Sequence, residues 1–525
     1  MQRRQFLAAA AATVAMPAVA RGQSKQVLTV VPQADLGSLD PVWTTAYQTR
    51  DHGTMIFDTL YGTDAQFRAQ PQMVEGALAE DDGKRWRLTL RPGLKFHDGT
   101  PVLARDCAAS VKRWGARDSY GQALLAATDE ISAADDKTIV FRMKRPFALL
   151  PDALGKAPPS ICAIMPERLA STDPQTQVTE MVGSGPYRYK ADERVPGARV
   201  VYERFADYAP RPAGTPSGTA GPKVAHFERV EWRIIPEGGT IAAALQRGEV
   251  DWWLIPDADL LAPLKRDAKL VVRNTDPTGF VGTLRFNHLQ PPFDNPKIRR
   301  AVLAAVTQSD YMTAIAGTDA SLWKVPCGVF CPGTPMASDA GLGALSAPHD
   351  PAALKRGFEA AGYRGERIVL LAPTNIAGAK ALADITADWM KTLGLNVDYQ
   401  GMDWATLVQR RAKQEPLDQG GWSIYHTSWS GADQLNPAGH VFLRGNAKQA
   451  TVGWPSSPEL ERLREAWLAA PDLAAQQRIA AQMQTQAFED VPYVPLGQYF
   501  LPAVYQANLT GVLDGNPVFW NVRRS

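Results

Sequence analysis

Between Trp86 and Trp114 the chain reads WRLTLRPGLKFHDGTPVLARDCAASVKRW, and its hydrophobic pattern changes period on the way. Trp86, Leu88 and Leu90 alternate with polar residues, which predicts a half-buried strand. Arg91-Pro92-Gly93 breaks it, and Leu94 and Phe96 begin a second short alternation. Asp98-Gly99 is a tight-turn dipeptide, because glycine supplies a positive φ and the aspartate bonds the backbone ahead of it. Beyond Pro101, Ala108, Val111 and Trp114 fall near helical spacing. Leu103 stands where a helix N-cap is wanted, and leucine cannot bond an orphan N–H, so the helix is expected to start elsewhere or to be less well capped. None of these residues is an evident catalyst, and the segment reads as a structural corner.

The rest of the chain yields to the same treatment. Residues 27–31 and 139–143 are short apolar strands, and residues 230–235 form another. A short helix over 240–246 precedes Gly248-Glu249-Val250-Asp251, which leads into a strand carrying Trp252 and Trp253. Residues 209–222, rich in proline and glycine, are an exposed loop. Asp350 caps a helix that begins at Pro351, shows Leu354 and Phe358 along one edge and stops at Gly362. Residues 368–371 are a strand, then Leu382, Ile385, Trp389 and Leu393 line a helix ended by Gly394, and Val397 and Tyr399 open the next strand. Strand–helix–strand spacing of this kind implies parallel strands with crossovers. Ser457-Pro458 and Pro471-Asp472 open two late helices, and no internal repeat is visible.

Length changes the picture first: 525 residues suggest roughly two to four domains. The first twenty residues, MQRRQFLAAAAATVAMPAVA, change it next. Arg3-Arg4-Gln5-Phe6-Leu7 resembles a twin-arginine export motif, an apolar run to Val19 follows, and Ala18-Val19-Ala20 is a small-x-small cleavage site. The run is too short to span a bilayer comfortably, which takes about twenty apolar residues. A signal peptide over 1–20, cut after Ala20, and a periplasmic product are therefore expected. Removal of Arg3 and Arg4 leaves 54 basic and 54 acidic residues, a balance that argues against electrostatic capture of nucleic acid or anionic membrane. Of four cysteines, Cys327 and Cys331 share a Pro/Gly-rich loop; in an oxidising compartment a disulfide between them is favoured over a metal site, since no nearby histidine or second cysteine pair completes four ligands. Cys107 reads as a buried thiol.

The run LRPGLKFHDGTP followed by a helix resembles the signature of the family 5 substrate-binding proteins of ABC importers, the large periplasmic binders of oligopeptides, dipeptides, nickel complexes and related solutes. Leu39-Asp40-Pro41 after the first strand, Gly183-Ser184-Gly185-Pro186-Tyr187, the run ending Leu245-Gln246 then Gly248-Glu249 and Asp251, and Pro291-Pro292-Phe293-Asp294 resemble further family motifs. The resemblance implies an α/β fold of the type II periplasmic-binding-protein kind: two lobes with a hinge, plus an extra subdomain in the first lobe. On that reading residues 21–63, 184–275 and 490–525 form the main part of lobe I, 64–183 the extra subdomain and 276–489 lobe II. It implies capture of a peptide or similar-sized solute, an opine or a metal chelate being others, by hinge closure and delivery to membrane permease subunits, by a monomer without cofactor or enzymatic activity.

The densest aromatic and polar stretch runs from Trp422 to Asp433. In peptide-binding members of the family this position carries Arg, then Trp three later, then an Asp that pairs with the peptide's amino group. Aligned without gaps these fall on His426, Trp429 and Ala432, with Asp433 one residue late. Tyr425, His426, Trp429 and Asp433 are expected to face the cleft, with Tyr47 and, across the Trp252-Trp253 alternation, Trp253. Trp422 reads as core, and His97 and His288 as structural histidines. Two rivals are an exported hydrolase, for which no activated nucleophile or metal spacing is present, and a periplasmic chaperone without an importer.

Overall fold

In a computed structural model, residues 26–157, 159–345 and 350–525 are described. The signal-peptide and cleavage-site expectations, Pro158 and the last four residues of the 326–349 loop lie outside the described residues.

Two large sheets carry the architecture. The first orders Leu270–Arg273, Ala503–Gln506, Trp252–Trp253, Val27–Val31, Arg229–Arg233, Arg199–Arg204 and Tyr187–Tyr189 side by side. Val27–Val31 sits in its middle, parallel to both neighbours, and Leu28, Thr29, Val30 and Val31 are fully buried or nearly so. The second sheet orders Trp323–Lys324, Tyr493–Tyr499, Phe280–Phe286, Ile424–Ser430, Ile368–Pro373 and Val397–Met402. Its last three strands run parallel, with the helix Ala377–Thr392 between two of them in sequence. A separate antiparallel sheet of Val74–Glu80, Arg85–Leu90, Thr138–Met143 and Thr128–Ala133 forms the extra subdomain.

The corner around the signature is built as its residues require. Arg85–Leu90 is a strand, Gly99 takes φ +87° in the turn, and the helix Ala104–Gly115 starts directly after Leu103. The missing cap is supplied from inside the helix: the Asp106 carboxylate accepts the Leu103 N–H at 2.8 Å, and its other oxygen accepts Glu167 N–H at 2.8 Å. At the far end of this helix Arg113 reaches back to Asp40, with guanidinium–carboxylate distances of 2.7 and 3.3 Å. Asp40 is fully buried and also accepts the Val42 and Val178 N–H groups. The Leu-Asp-Pro loop is thereby riveted to the subdomain.

Gly183 and Gly185 are needed for close approach. A Cβ on Gly183 would fall 2.0 Å from the Ile56 carbonyl oxygen, and one on Gly185 2.4 Å from that of Met55. The turn lies on the end of the helix Tyr47–Ile56, and Gly185 N–H bonds Ile56 O at 2.8 Å.

The chain passes between the two large sheets twice, after Arg273 and after Tyr499. The second passage corrects the boundary expected at 490. Tyr493–Tyr499 pairs with Phe280–Phe286 deep in the second sheet, and only from Ala503 does the chain pair in the first. Its continuous apolar character suits burial on both faces of either sheet, which is why sequence alone misplaced it. The two passages touch: Gly279 takes φ +52°, and a Cβ there would lie 2.4 Å from Tyr499 O.

Candidate ligand-binding cleft

Tyr47 opens the helix Tyr47–Ile56 at the edge of the first lobe. Its hydroxyl accepts a hydrogen bond from the backbone N–H of Ser430, at 2.8 Å, where the second-lobe strand Ile424–Ser430 ends. The ring meets Phe280 edge-on at 5.7 Å, and the Arg50 guanidinium sits 4.7 Å from its centroid. Arg145 of the subdomain pairs with Glu465 of the second lobe at 2.8 Å, and Ser119 Oγ donates to Gly439 O at 3.4 Å. The lobes therefore face each other across a cleft and touch on several sides of it.

Inside lies a chamber of about 50 Å³, with Thr63, Phe67, Tyr120, Asp152, Lys156 and Asp433 in its walls. Asp433 stands in the short turn Gly431–Gln434 that follows the strand, a turn begun by Ser430, whose Oγ accepts the Ala432 N–H. Its Oδ2 is sealed from solvent and has no hydrogen-bond partner. Burial pushes the carboxyl up to about 7, against the pull of Lys156 and Arg50 and with the push of Asp118 and Asp276. The two cations nearby are already engaged. Lys156 Nζ is 2.6 Å from Asp118 Oδ2, and Arg50 Nε is 2.7 Å from Asp51. Asp118 is fixed in turn by capping the helix Ser119–Ala127 through the Tyr120 and Gly121 N–H groups. Burial raises the Asp152 carboxyl as well. A desolvated carboxylate with an unfilled oxygen is held in one of two ways, by a proton or by an incoming cation.

The remaining sequence expectations sort by strand face. Tyr47 and Asp433 line cavities between the lobes or beside Tyr47 itself. His426 does not. It is fully buried, its Nε2 is 2.8 Å from Thr386 Oγ1 on the helix Ala377–Thr392, and burial holds its pKa near 3. Tyr425 points to the opposite face, into a cluster with Trp422, Trp454 and Leu407, under the Arg411 guanidinium at 5.2 Å. Both are core residues, because this strand is covered on both faces. Trp429 is half-buried and meets Phe442 edge-on at 4.8 Å. Trp252 and Trp253 do face opposite ways, but each enters a hydrophobic cluster: Trp252 meets Tyr505 and Phe519, and Trp253 packs with Val31, Leu264 and Val504. The expectation that Trp253 lines the cleft is corrected accordingly, since it packs into a hydrophobic cluster with residues of two helices, Gly238–Gln246 and Ala258–Lys265.

The Cys327–Cys331 disulfide is also corrected. Both are free, buried thiols, Cys327 Sγ turned to Gly328 O and Cys331 Sγ to Thr278 O. Cys331 also accepts Gln498 Nε2 at 3.3 Å. The two thiols are committed to separate backbone partners. His97 and His288 are structural: each has a ring nitrogen on a backbone carbonyl, Gly185 and Pro492 respectively, at 3.0 and 3.1 Å. Lys156, Asp118, Asp152 and Phe67 were missed. They come from three separate turns and helix ends, and no periodicity or spacing links them.

Comparison with known proteins completes the picture. The family model "Bacterial extracellular solute-binding proteins, family 5 Middle" matches residues 68–449. A Sinorhizobium fredii protein named "Probable peptide ABC transporter periplasmic-binding protein" is 36% identical over 523 residues, covering 98% of each chain. Among solved structures, the binding protein AgaA of A. tumefaciens R10 in complex with agropinic acid superposes with a TM-score of 0.78 at 20% identity, covering 95% of this chain and 99% of the other. A Pseudoalteromonas dipeptide-binding protein in complex with Met-Leu gives 0.76 at 21% identity, covering 95% and 100%. The two-lobed type II fold expected from the sequence is the fold of these structures.

Proposed function

The chain belongs to family 5 of the bacterial extracellular solute-binding proteins, the periplasmic receptors of ABC importers, and from that premise we propose that its solute is a peptide or peptide-like molecule whose ammonium group is held by Asp433. The observation that carries this is the buried, partnerless Oδ2 of Asp433 in the wall of the cleft. An ammonium ion seated there turns a costly buried carboxylate into a hydrogen-bonded ion pair. Asp433 belongs to the second lobe, whereas Phe67, Tyr120 and Lys156 belong to the first, so a solute bound between them favours the closed arrangement, as closure requires. The name of the S. fredii relative points to the same solute class. Binding is the whole task on this reading, with no bond made or broken, and the protein works as a monomer that hands its solute to a membrane permease. Export follows the twin-arginine route, and Arg3→Lys with Arg4→Lys is expected to leave the protein in the cytoplasm, as fractionation would show.

Calorimetry tests the site. Removing one partner of a buried charge pair costs at least about 2 kcal/mol, roughly thirtyfold in affinity. Asp433→Asn is therefore expected to weaken a bound peptide by about thirtyfold or more, and acetylating the peptide's amino group to weaken it similarly against the wild type. Equal affinity in both comparisons would refute the amine assignment.

A further inference from the structure

The Asp433 chamber adjoins a second, much larger space. That vestibule measures about 510 Å³ and shares Phe67, Ala69, Tyr120, Asp152, Leu435 and Asn436 with the chamber, so the two lie side by side against the same walls. Its further walls come from both sides of the cleft. Leu149 belongs to the subdomain, while Met336, Trp467 and Leu473 belong to the second lobe. The Arg145–Glu465 ion pair joins these same two walls, standing close in sequence to Leu149 and Trp467.

Size divides the two spaces between two parts of one ligand. One water needs roughly 10–15 Å³ of such space, so a chamber of about 50 Å³ has room for a few water-sized groups, enough for a small polar head. Pockets that enclose a whole small ligand measure about 300–1,000 Å³, a range that the vestibule meets. The vestibule lining is apolar on its second-lobe side. Trp467 is almost fully buried and donates its Nε1–H to Met336 Sδ at 3.4 Å. Leu473, the first residue of the helix Leu473–Asp490, is 54% exposed, one of four large hydrophobic residues left so exposed among the described residues. A leucine in that state beside a cavity gains from any apolar group laid over it.

We propose that this protein selects solutes with a cationic head and an apolar body, the head at Asp433 and the body in the Leu149–Met336–Trp467–Leu473 vestibule, and hence prefers peptides longer than two residues that carry an apolar side chain beyond the first. The inference rests on the amine assignment above and adds to it the shape and length of the solute.

Two titration series on the full-length mature protein separate the two ideas. The first compares Ala-Ala, Ala-Ala-Ala and Ala-Ala-Leu-Leu by calorimetry, and the second compares n-butylamine, n-hexylamine and n-octylamine by thermal shift. Affinity is expected to rise at least about tenfold from Ala-Ala to Ala-Ala-Leu-Leu, and the shift to grow with alkyl length. Leu473→Asp should abolish both gains while leaving Ala-Ala within about twofold, and Leu473→Ala should give an intermediate loss. Leu473 is exposed, so neither variant is expected to unfold the protein, which circular dichroism would check. Peptides that bind with no dependence on length or on Leu473 would overturn the vestibule and leave the amine site standing. Alkylamines that respond to length through Leu473, with no peptide bound, would support the vestibule and overturn the peptide reading. No response in either series overturns both.

Discussion

An ionised Asp433 is the least comfortable charge in the cleft, and its discomfort is measurable as pH dependence. Its folded pKa of about 7 lies above the usual 3.8, so the folded state holds this proton more tightly than the unfolded chain. Its contribution is fully present below pH 3.8 and is lost as pH rises through 7, up to a limit of about 4 kcal/mol. Asp433→Asn removes the penalty. The ligand-free variant is expected to melt above the wild type at pH 8, with the gap closing as pH falls towards 4. A gap independent of pH would contradict the buried-carboxylate account. Binding has the opposite dependence. A cationic solute needs the ionised form, so wild-type affinity for a peptide should rise as pH climbs towards 7 and fall once the peptide's own amine, near 7.7–8.0, gives up its proton. The buried histidines pull in yet another direction. His52, His426 and His440 are held near 3 and His97 near 4 by burial. Each is neutral in the fold, so their stability is complete above about 6.5 and is lost as pH falls below it. Melting temperature should therefore drop between pH 6.5 and 5 in wild type and Asp433→Asn alike.

At the scale of elements, the signature corner is a joint rather than a site, and its joint is the Arg113–Asp40 pair. The side chains are 1% and 0% exposed. Breaking a buried pair by removing one partner costs about 3–5 kcal/mol, because the other charge is left uncompensated. Arg113→Ala should lower the denaturant midpoint strongly, whereas the exposed pair Arg142–Asp129, broken by Asp129→Asn, should change it by less than about 1 kcal/mol. Similar losses in the two variants would show that Asp40 finds other partners. Most elements were legible from pattern: the strand at Arg85–Leu90, the Asp350 cap, the Gly362 and Gly394 stops and the late helices beginning at Pro458 and Leu473. The facing of residues within a strand was not. Ile424–Ser430 has apolar and polar residues on both faces, and its two coverings come from Ala377–Thr392 and from the Trp454 cluster, which lie far from it in sequence. A two-sided strand offers no alternation to read, so His426 and Tyr425 could not be told from cleft residues. Asp433 was picked out only by its place one residue from the Asp of resembling peptide binders, and the structure sets it past the strand end in the wall of the chamber.

If the proposed hinge closure governs binding, contacts between the lobes weigh on affinity together with the solute. One is the bond from Ser430 N–H to Tyr47 Oη, both ends of which are largely withdrawn from water. Another is the exposed Arg145–Glu465 pair. Their unequal burial decides their worth. Tyr47→Phe leaves a buried N–H without an acceptor, at a cost of about 1–3 kcal/mol that falls only on the closed state. Glu465→Gln removes an exposed ion pair, worth about 0.2–1 kcal/mol and screened by salt. Solute affinity includes the closing equilibrium, so both losses appear in the dissociation constant. Tyr47→Phe should weaken binding about fivefold or more at any ionic strength, and Glu465→Gln by less than about fivefold at low salt, with the deficit vanishing near 0.5 M salt. Small-angle scattering gives an independent check, since a population shifted to the open form has a larger radius of gyration, and saturating solute should bring Tyr47→Phe back to the wild-type value. A Tyr47→Phe protein with wild-type affinity and unchanged scattering would mean that the tyrosine hydroxyl does not latch the lobes, and that closure depends on the solute held at Asp433 alone.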